Sequence, residues 1–222
     1  MDQALQRHNM VEGQIRPSSI TDALLIAAMG EVPREAFLPE DVSGCAYLDE
    51  AVAIGGGRFL MEPMVLARLL QAARVAADDQ ALVIGCASGY SAALLARLTT
   101  VVVAVEEDGA LAAKASRALI DQGVDNAAFL EGKLAEGYAE QAPYDVILLG
   151  GAVAEIPPAI VSQLGEGGRL VCVLASGQNG VGMGVGQGTL LTRHGQSFSQ
   201  TQLFDAWAPF LPGFHSRSDF SF

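Results

Sequence analysis

Two hydrophobic rhythms divide this chain. Residues 1–16 mix polar and apolar side chains at helical spacing and stop before Pro17. The stretch "TDALLIAAMGEV" then carries a dense apolar stripe, with Thr21 as the N-cap candidate. Two N-terminal helices are expected. From Pro33 to Gly57 the chain is rich in Pro, Gly and short apolar groups, and it runs into "AIGGGRFLMEP", which predicts irregular structure with a Gly-rich turn. A third helix is predicted from Pro63, a favoured first-turn residue, through "MVLARLLQAARVA".

Beyond that helix the rhythm becomes strand, helix, strand, helix. "QALVIG" precedes "GYSAALLARL", and "VVVAVE" precedes "GALAAKASRALIDQG"; "AAFLEG", "YDVILLGG", "IPPAIVSQL" and "GGRLVCVLA" follow. Apolar β-branched runs alternating with alanine-leucine helices predict an α/β, Rossmann-like fold: a mostly parallel central sheet covered by helices on both faces. The glycine-dense "SGQNGVGMGVGQG" reads as a flexible loop or wide hairpin, and "TLLTRHG" with "SFSQTQLFDA" as a closing antiparallel strand pair. One domain is expected, with residues 1–76 a helical, substrate-side extension, 77–175 the α/β core and 176–222 the loop, closing strands and an aromatic tail.

Composition narrows the chemistry. The 222 residues are 50% hydrophobic and 17% charged, enough for one sizeable core. A net charge of -12 disfavours a phosphate backbone, so nucleic acid is not the expected partner. Cys45, Cys86 and Cys172 have neither disulfide-framework nor zinc spacing, and a reducing cytoplasm is the simplest compartment. No apolar run is long enough to span a bilayer and no secretory signal opens the sequence, so a soluble, cytoplasmic protein is expected. The scattered His8, His194 and His215 predict no metal site. Trp207, Phe210, Phe214, Phe220 and Phe222 are read first as an aromatic tail buried on the domain, with a ligand pocket or the surface of a homodimer as the alternatives.

The turn after "ALVI" lies where a doubly wound sheet holds its ligand, beyond the carboxyl ends of the strands. It reads Gly85, Cys86, Ala87, Ser88, Gly89, a G-x-A-x-G pattern that does not fit the dinucleotide fingerprint G-x-G-x-x-G. A nicotinamide oxidoreductase is thereby disfavoured. Glu106 follows Gly85 by 106 - 85 = 21 positions at the end of "VVVAV", where a carboxylate would hold ribose hydroxyls. Cys86, next to a helix N-terminus, is a candidate reactive thiol, although such a cysteine is more often just a small residue that fits the turn.

The order of "MVEGQIRPSSITDALLIAAMGEVPREAFLP", "AIGGG" with "EP", "IGCASGYSAALLA", "VVAVE" and "APYDVILLGGAVAEIPPAIVSQLGEGGRLV" resembles the protein-L-isoaspartate O-methyltransferase family. The resemblance implies a class I methyltransferase fold and S-adenosylmethionine as cofactor. It places Gly85, Cys86, Ala87, Ser88 and Gly89 beneath that cofactor and Glu106 at its ribose. It assigns no catalytic residue. This chain departs from the family pattern at Val83 and Ala87, and at Lys133, which stands where an acid normally approaches the adenine. It also departs at "GRFLMEP", where the family reads "GQTISQP". Phe59 and Met61 remove hydroxyls there and Glu62 adds a negative charge, with Arg58 available to offset it. Arg16, Arg34 and Arg58 are the basic residues expected nearest the pocket.

The resemblance therefore implies methylation of a carboxyl group on a protein, a peptide or a small molecule, through an altered substrate pocket. The other reading is a non-catalytic methyltransferase-fold paralogue that binds a partner or stabilises an assembly.

Overall fold

The computed structural model describes residues 2–175 and 183–214. The chain opens with α1 (Gln3–Met10), which runs into a π-helical turn over Val11–Ile15, and continues with α2 (Ala23–Glu31). Asp2 caps α1, accepting from Ala4 N at 3.0 Å. Asp22, and not Thr21, caps α2: its carboxylate accepts from Leu24 N at 2.9 Å and Leu25 N at 3.1 Å. The N-cap side chain must reach the second or third amide of the helix, and the one-residue shift puts the carboxylate there.

The glycine- and proline-rich stretch is more ordered than its composition implies. Two 3-10 turns, Arg34–Phe37 and Glu40–Cys45, lead into a hairpin of β1 (Val52–Gly55) and β2 (Arg58–Leu60). Its turn, Gly55 to Gly57, has φ of 94°, 59° and 71°, a left-handed run that glycine adopts without steric cost. Next comes α3 (Pro63–Ala73), whose Val65, Leu66, Leu69 and Leu70 are buried.

The sheet is built from β3 (Gln80–Ile84), β4 (Val101–Glu106), β5 (Ala127–Glu131), β6 (Tyr144–Val153), β7 (Leu164–Ala175), β8 (Met183–His194) and β9 (Ser197–Pro209). Its order is β5-β4-β3-β6-β7-β8-β9, parallel from β5 to β7 and antiparallel across β8 and β9. Helices α4 (Tyr90–Leu98), α5 (Gly109–Asp121) and the short α6 (Pro158–Val161) complete the α/β part.

The apolar runs are explained by burial on both faces. In β3, Ala81 and Val83 join one core cluster and Leu82 and Ile84 the other; Val102 and Ala104 of β4 likewise alternate with Val103 and Val105. Side chains of a strand point alternately to opposite faces, so a strand covered twice is apolar throughout. β3 lies between β4 and β6, so the chain leaves it first to one side and then to the other. The crevice at such a switch point is where ligands bind.

Of the C-terminal aromatics, Trp207 stands exposed, Phe210 half-buried and Phe214 buried. Phe220, Phe222 and His215 lie outside the described residues, as does the 176–182 part of the expected glycine-rich loop; β8 already begins at Met183.

Candidate active site

The end of β3 turns sharply into α4. Gly85 donates to Val105 O at 2.9 Å, and Gly89 to Cys86 O at 2.9 Å. Gly85, Ala87 and Gly89 all have positive φ, at 72°, 52° and 97°. Ala87 is thus an L-residue in a left-handed conformation, which costs it roughly 1–2 kcal/mol against glycine. A Cβ at Gly89 would come within 3.1 Å of Phe129 and 3.2 Å of Ala115, so that glycine also lets α5 pack close.

Glu106 ends β4 beside this turn, almost fully buried. Its Oε2 accepts from Ala87 N at 2.8 Å and from Arg58 Nη2 at 2.8 Å; its Oε1 accepts from Glu107 N at 3.0 Å and Asp108 N at 3.4 Å. Turn and acid therefore form one hydrogen-bonded unit. Arg58 comes from the β2 end of the hairpin and is itself buried. The expectation that Arg58 offsets Glu62 is corrected: Arg58 is spent on Glu106, and the cation that acts on Glu62 is Arg34.

The other expected cations lie outside this cluster. Arg34 is fully buried, donating from Nε to Ala46 O at 2.6 Å and from Nη2 to Met61 O, with its guanidinium 5.0 Å from the Tyr90 ring centroid. Burial draws its pKa down to about 10. It ties the end of the second 3-10 turn to the residue after β2. Arg16 sits at the surface, 2.8 Å from Glu12. Lys133 is exposed and pairs with Glu136 at 2.9 Å.

Glu62 is half-buried at the start of α3, and desolvation, with Asp49 second, pushes its pKa up to about 7. It is thus only partly charged at neutral pH, and the fixed negative charge expected there is reduced. Cys86 is a small residue fitted into the turn rather than a reactive thiol. It is buried, and burial followed by the charge of Glu106 raises its thiol pKa well above the ordinary value. A helix N-terminus alone does not activate a thiol that is shut away from water beside a carboxylate. Ser88 has a buried Oγ with no hydrogen-bond partner among the described residues, at the edge of a cavity of about 230 Å³ walled by Phe37, Leu38, Ile54 and Leu111.

The signal for Glu106 was its spacing. Nothing local marked Leu211. A Cβ at Gly85 would lie 2.5 Å from Leu211 Cδ2 and 3.1 Å from Arg58 Nη2, so these two side chains stand where a ligand would approach the turn. The space left among Arg58, Phe59, Gly150, Gly151 and Leu211 is about 10 Å³, at most one water's worth. Drug-sized ligands need roughly 300–1,000 Å³. The residue types at the turn fit an adenosyl cofactor, but the space over Gly85 does not admit one.

Among the described residues no group of three or more His, Cys, Asp or Glu is placed to hold a metal, and no helix is long and apolar enough to cross a membrane.

Sheet order and connectivity are those of the class I methyltransferase fold. Two solved structures named protein-L-isoaspartate O-methyltransferase share the fold. One superposes with a TM-score of 0.82 at 23% identity, covering 94% of this chain and 67% of that one. The other, from Plasmodium falciparum and in complex with S-adenosyl-L-homocysteine, gives 0.70 at 18% identity, covering 93% and 96%.

The sequence carries the assignment further. Residues 5–183 match the family Protein-L-isoaspartate(D-aspartate) O-methyltransferase, and the chain belongs to it. A relative from Rhodopseudomonas palustris, named protein-L-isoaspartate O-methyltransferase 1, is 39% identical over 176 residues, 79% of this chain and 72% of its own. Members of this family use S-adenosylmethionine.

Proposed function

We propose that this chain is an S-adenosylmethionine-dependent methyltransferase that esterifies a carboxyl group of a protein or peptide, with the turn Gly85, Cys86, Ala87, Ser88 and Gly89 on the cofactor side and Glu106 as the ribose acid. The observation that carries the reading is the Ala87 N to Glu106 Oε2 hydrogen bond of 2.8 Å, which fixes turn and acid as a unit at the switch point of β3. Membership of the family and the S-adenosyl-L-homocysteine complex of the Plasmodium relative support it. When bound, the cofactor supplies an electrophilic methyl group.

A carboxylate acceptor is already ionised at neutral pH and needs no general base, so the chain's task is to position it and exclude water. Phe59 and Met61 supply apolar walls beside Arg58. Glu62, with its pKa near 7, can donate a hydrogen bond to an anionic acceptor below that pH and repels it above. Methyl transfer to a carboxylate peptide should therefore fall as pH rises through about 7. The test is transfer of labelled methyl from S-adenosylmethionine to an isoaspartyl peptide and to its aspartyl counterpart. Base-labile label on either supports carboxyl methylation, and base-stable label would move the acceptor to nitrogen or carbon.

A further inference from the structure

Glu106 and the turn are in place, yet the space over Gly85 beside them is full. A carboxylate has about four acceptor positions. In Glu106 three are taken by the amides of Ala87, Glu107 and Asp108, and the fourth by Arg58. No site is left for a ribose hydroxyl unless a donor leaves, and of the four donors only Arg58 is a side chain from another part of the fold.

Leu211 fills the adjoining space. The segment carrying it is stitched to the end of β6: Leu211 N donates to Ala152 O at 2.9 Å, Ala154 N to Phe214 O at 2.9 Å, and Phe210 pairs with Ala152 in a parallel bridge. A Cβ at Gly151 would meet Pro209 O at 2.8 Å and Leu211 Cγ at 3.1 Å, so a glycine in β6 is what lets the segment lie this close.

The two blocking residues come from separate parts of the chain: Arg58 opens β2 of the hairpin, and Leu211 follows β9, beyond residue 183 where the family match ends. The closed arrangement also carries a weakness, because Arg58 Nε is buried without a partner among the described residues. An unpaired buried donor favours leaving for water or for an acceptor.

We propose that Arg58 and Leu211 form an internal plug of the cofactor cleft, with the guanidinium taking the place of ribose hydroxyls on Glu106 and the leucine filling the space over Gly85, so that an adenosyl ligand enters only by displacing both. The proposal rests on the reading of Gly85–Gly89 and Glu106 as the cofactor side. A ligand that binds only the open state has its apparent affinity reduced by the open fraction.

The experiment is calorimetric titration with S-adenosylhomocysteine of the wild-type chain and of L211A, R58Q and the double variant, each first shown to be folded by circular dichroism. L211A leaves the ion pair intact and keeps the test sound if R58Q, which takes the cation from Glu106, does not fold. Expected is binding by L211A at least about tenfold tighter than by the wild type, and tighter still in the double variant. In the wild type, saturating ligand should raise amide hydrogen exchange over 52–60 and 209–214. Equal affinity of wild type and L211A would overturn the plug and leave the cofactor reading standing. Absence of binding in every folded variant at millimolar ligand would overturn both.

Discussion

Arg58 Nη2 lies 2.8 Å from Glu106 Oε2, and the two side chains are only 4% and 1% exposed. A buried pair is weak evidence for net stability, but removing one partner leaves a charge stranded, at a cost of about 3–5 kcal/mol. The two single losses should differ. R58M removes one of four donors to the carboxylate, whereas E106L strands the guanidinium and three backbone amides together. We expect E106L to be the more destabilising in urea denaturation. The coupling from a double-mutant cycle should be little changed by added salt, because the pair is shielded from the solvent ions that screen exposed charges. A cycle on Arg16 and Glu12, half-exposed at 51% and 48%, should give only about 0.3–0.5 kcal/mol.

Ala87 poses a different balance. Relief of its left-handed strain by A87G is worth roughly 1–2 kcal/mol. Against this stand the loss of a buried methyl, about 0.8 kcal/mol, and the added freedom of the unfolded chain, about 0.4–1 kcal/mol. The terms nearly cancel, so A87G should leave the urea midpoint almost unmoved. Ala92, buried in α4, has no strain to relieve, and A92G should cost about 2 kcal/mol from helix propensity and the lost methyl together. Equal losses at both positions would remove the strain argument.

That near-cancellation explains why the missing central glycine says little about the site. The strand–turn–helix unit was legible because each part has a local cause: β-branched runs, glycines where φ is positive, and an acid at the next strand end. The plug was not legible. Arg58 reaches an acid 48 residues away, and no periodicity in "GGGRFLMEP" indicates its direction. Leu211 follows a strand pair that was readable only as closing strands, and its neighbour over Gly85 is set by how that segment crosses β6. The hairpin Val52–Leu60 was hidden for a related reason: three consecutive glycines read as irregular chain until the pairing partner is known.

The cysteines give a direct check on burial. Cys86 and Cys172 are buried, and burial raises both thiols, Cys172 to about 12. Cys45 is half-buried in the turn Glu40–Cys45. Because the thiolate is the reactive form, brief alkylation with iodoacetamide under native conditions should modify Cys45 alone, and all three after denaturation. Native labelling of Cys86 would show that the turn opens to water far more readily than its packing implies.

Glu62 supplies the pH test. Its folded pKa, near 7, lies above the ordinary carboxylate value of 4.5 because burial and then Asp49 disfavour the charge, with Arg34 acting in the opposite sense. Below about pH 4.5 the group is protonated in both folded and unfolded chains. Between 4.5 and 7 the folded chain keeps a proton that the unfolded chain has released, so the stability this group contributes falls as pH rises, and it levels off above 7. E62Q cannot ionise and escapes that loss. The difference in stability between E62Q and wild type should therefore open across this window in favour of the variant, then stay constant at higher pH. D49N should narrow the window from above, since removing the neighbouring negative charge lets Glu62 ionise earlier. Thermal melts of the three proteins at half-unit pH steps would show this, and parallel curves for E62Q and wild type from pH 4 to 8 would place Glu62 in water and out of the role proposed for it beside the acceptor.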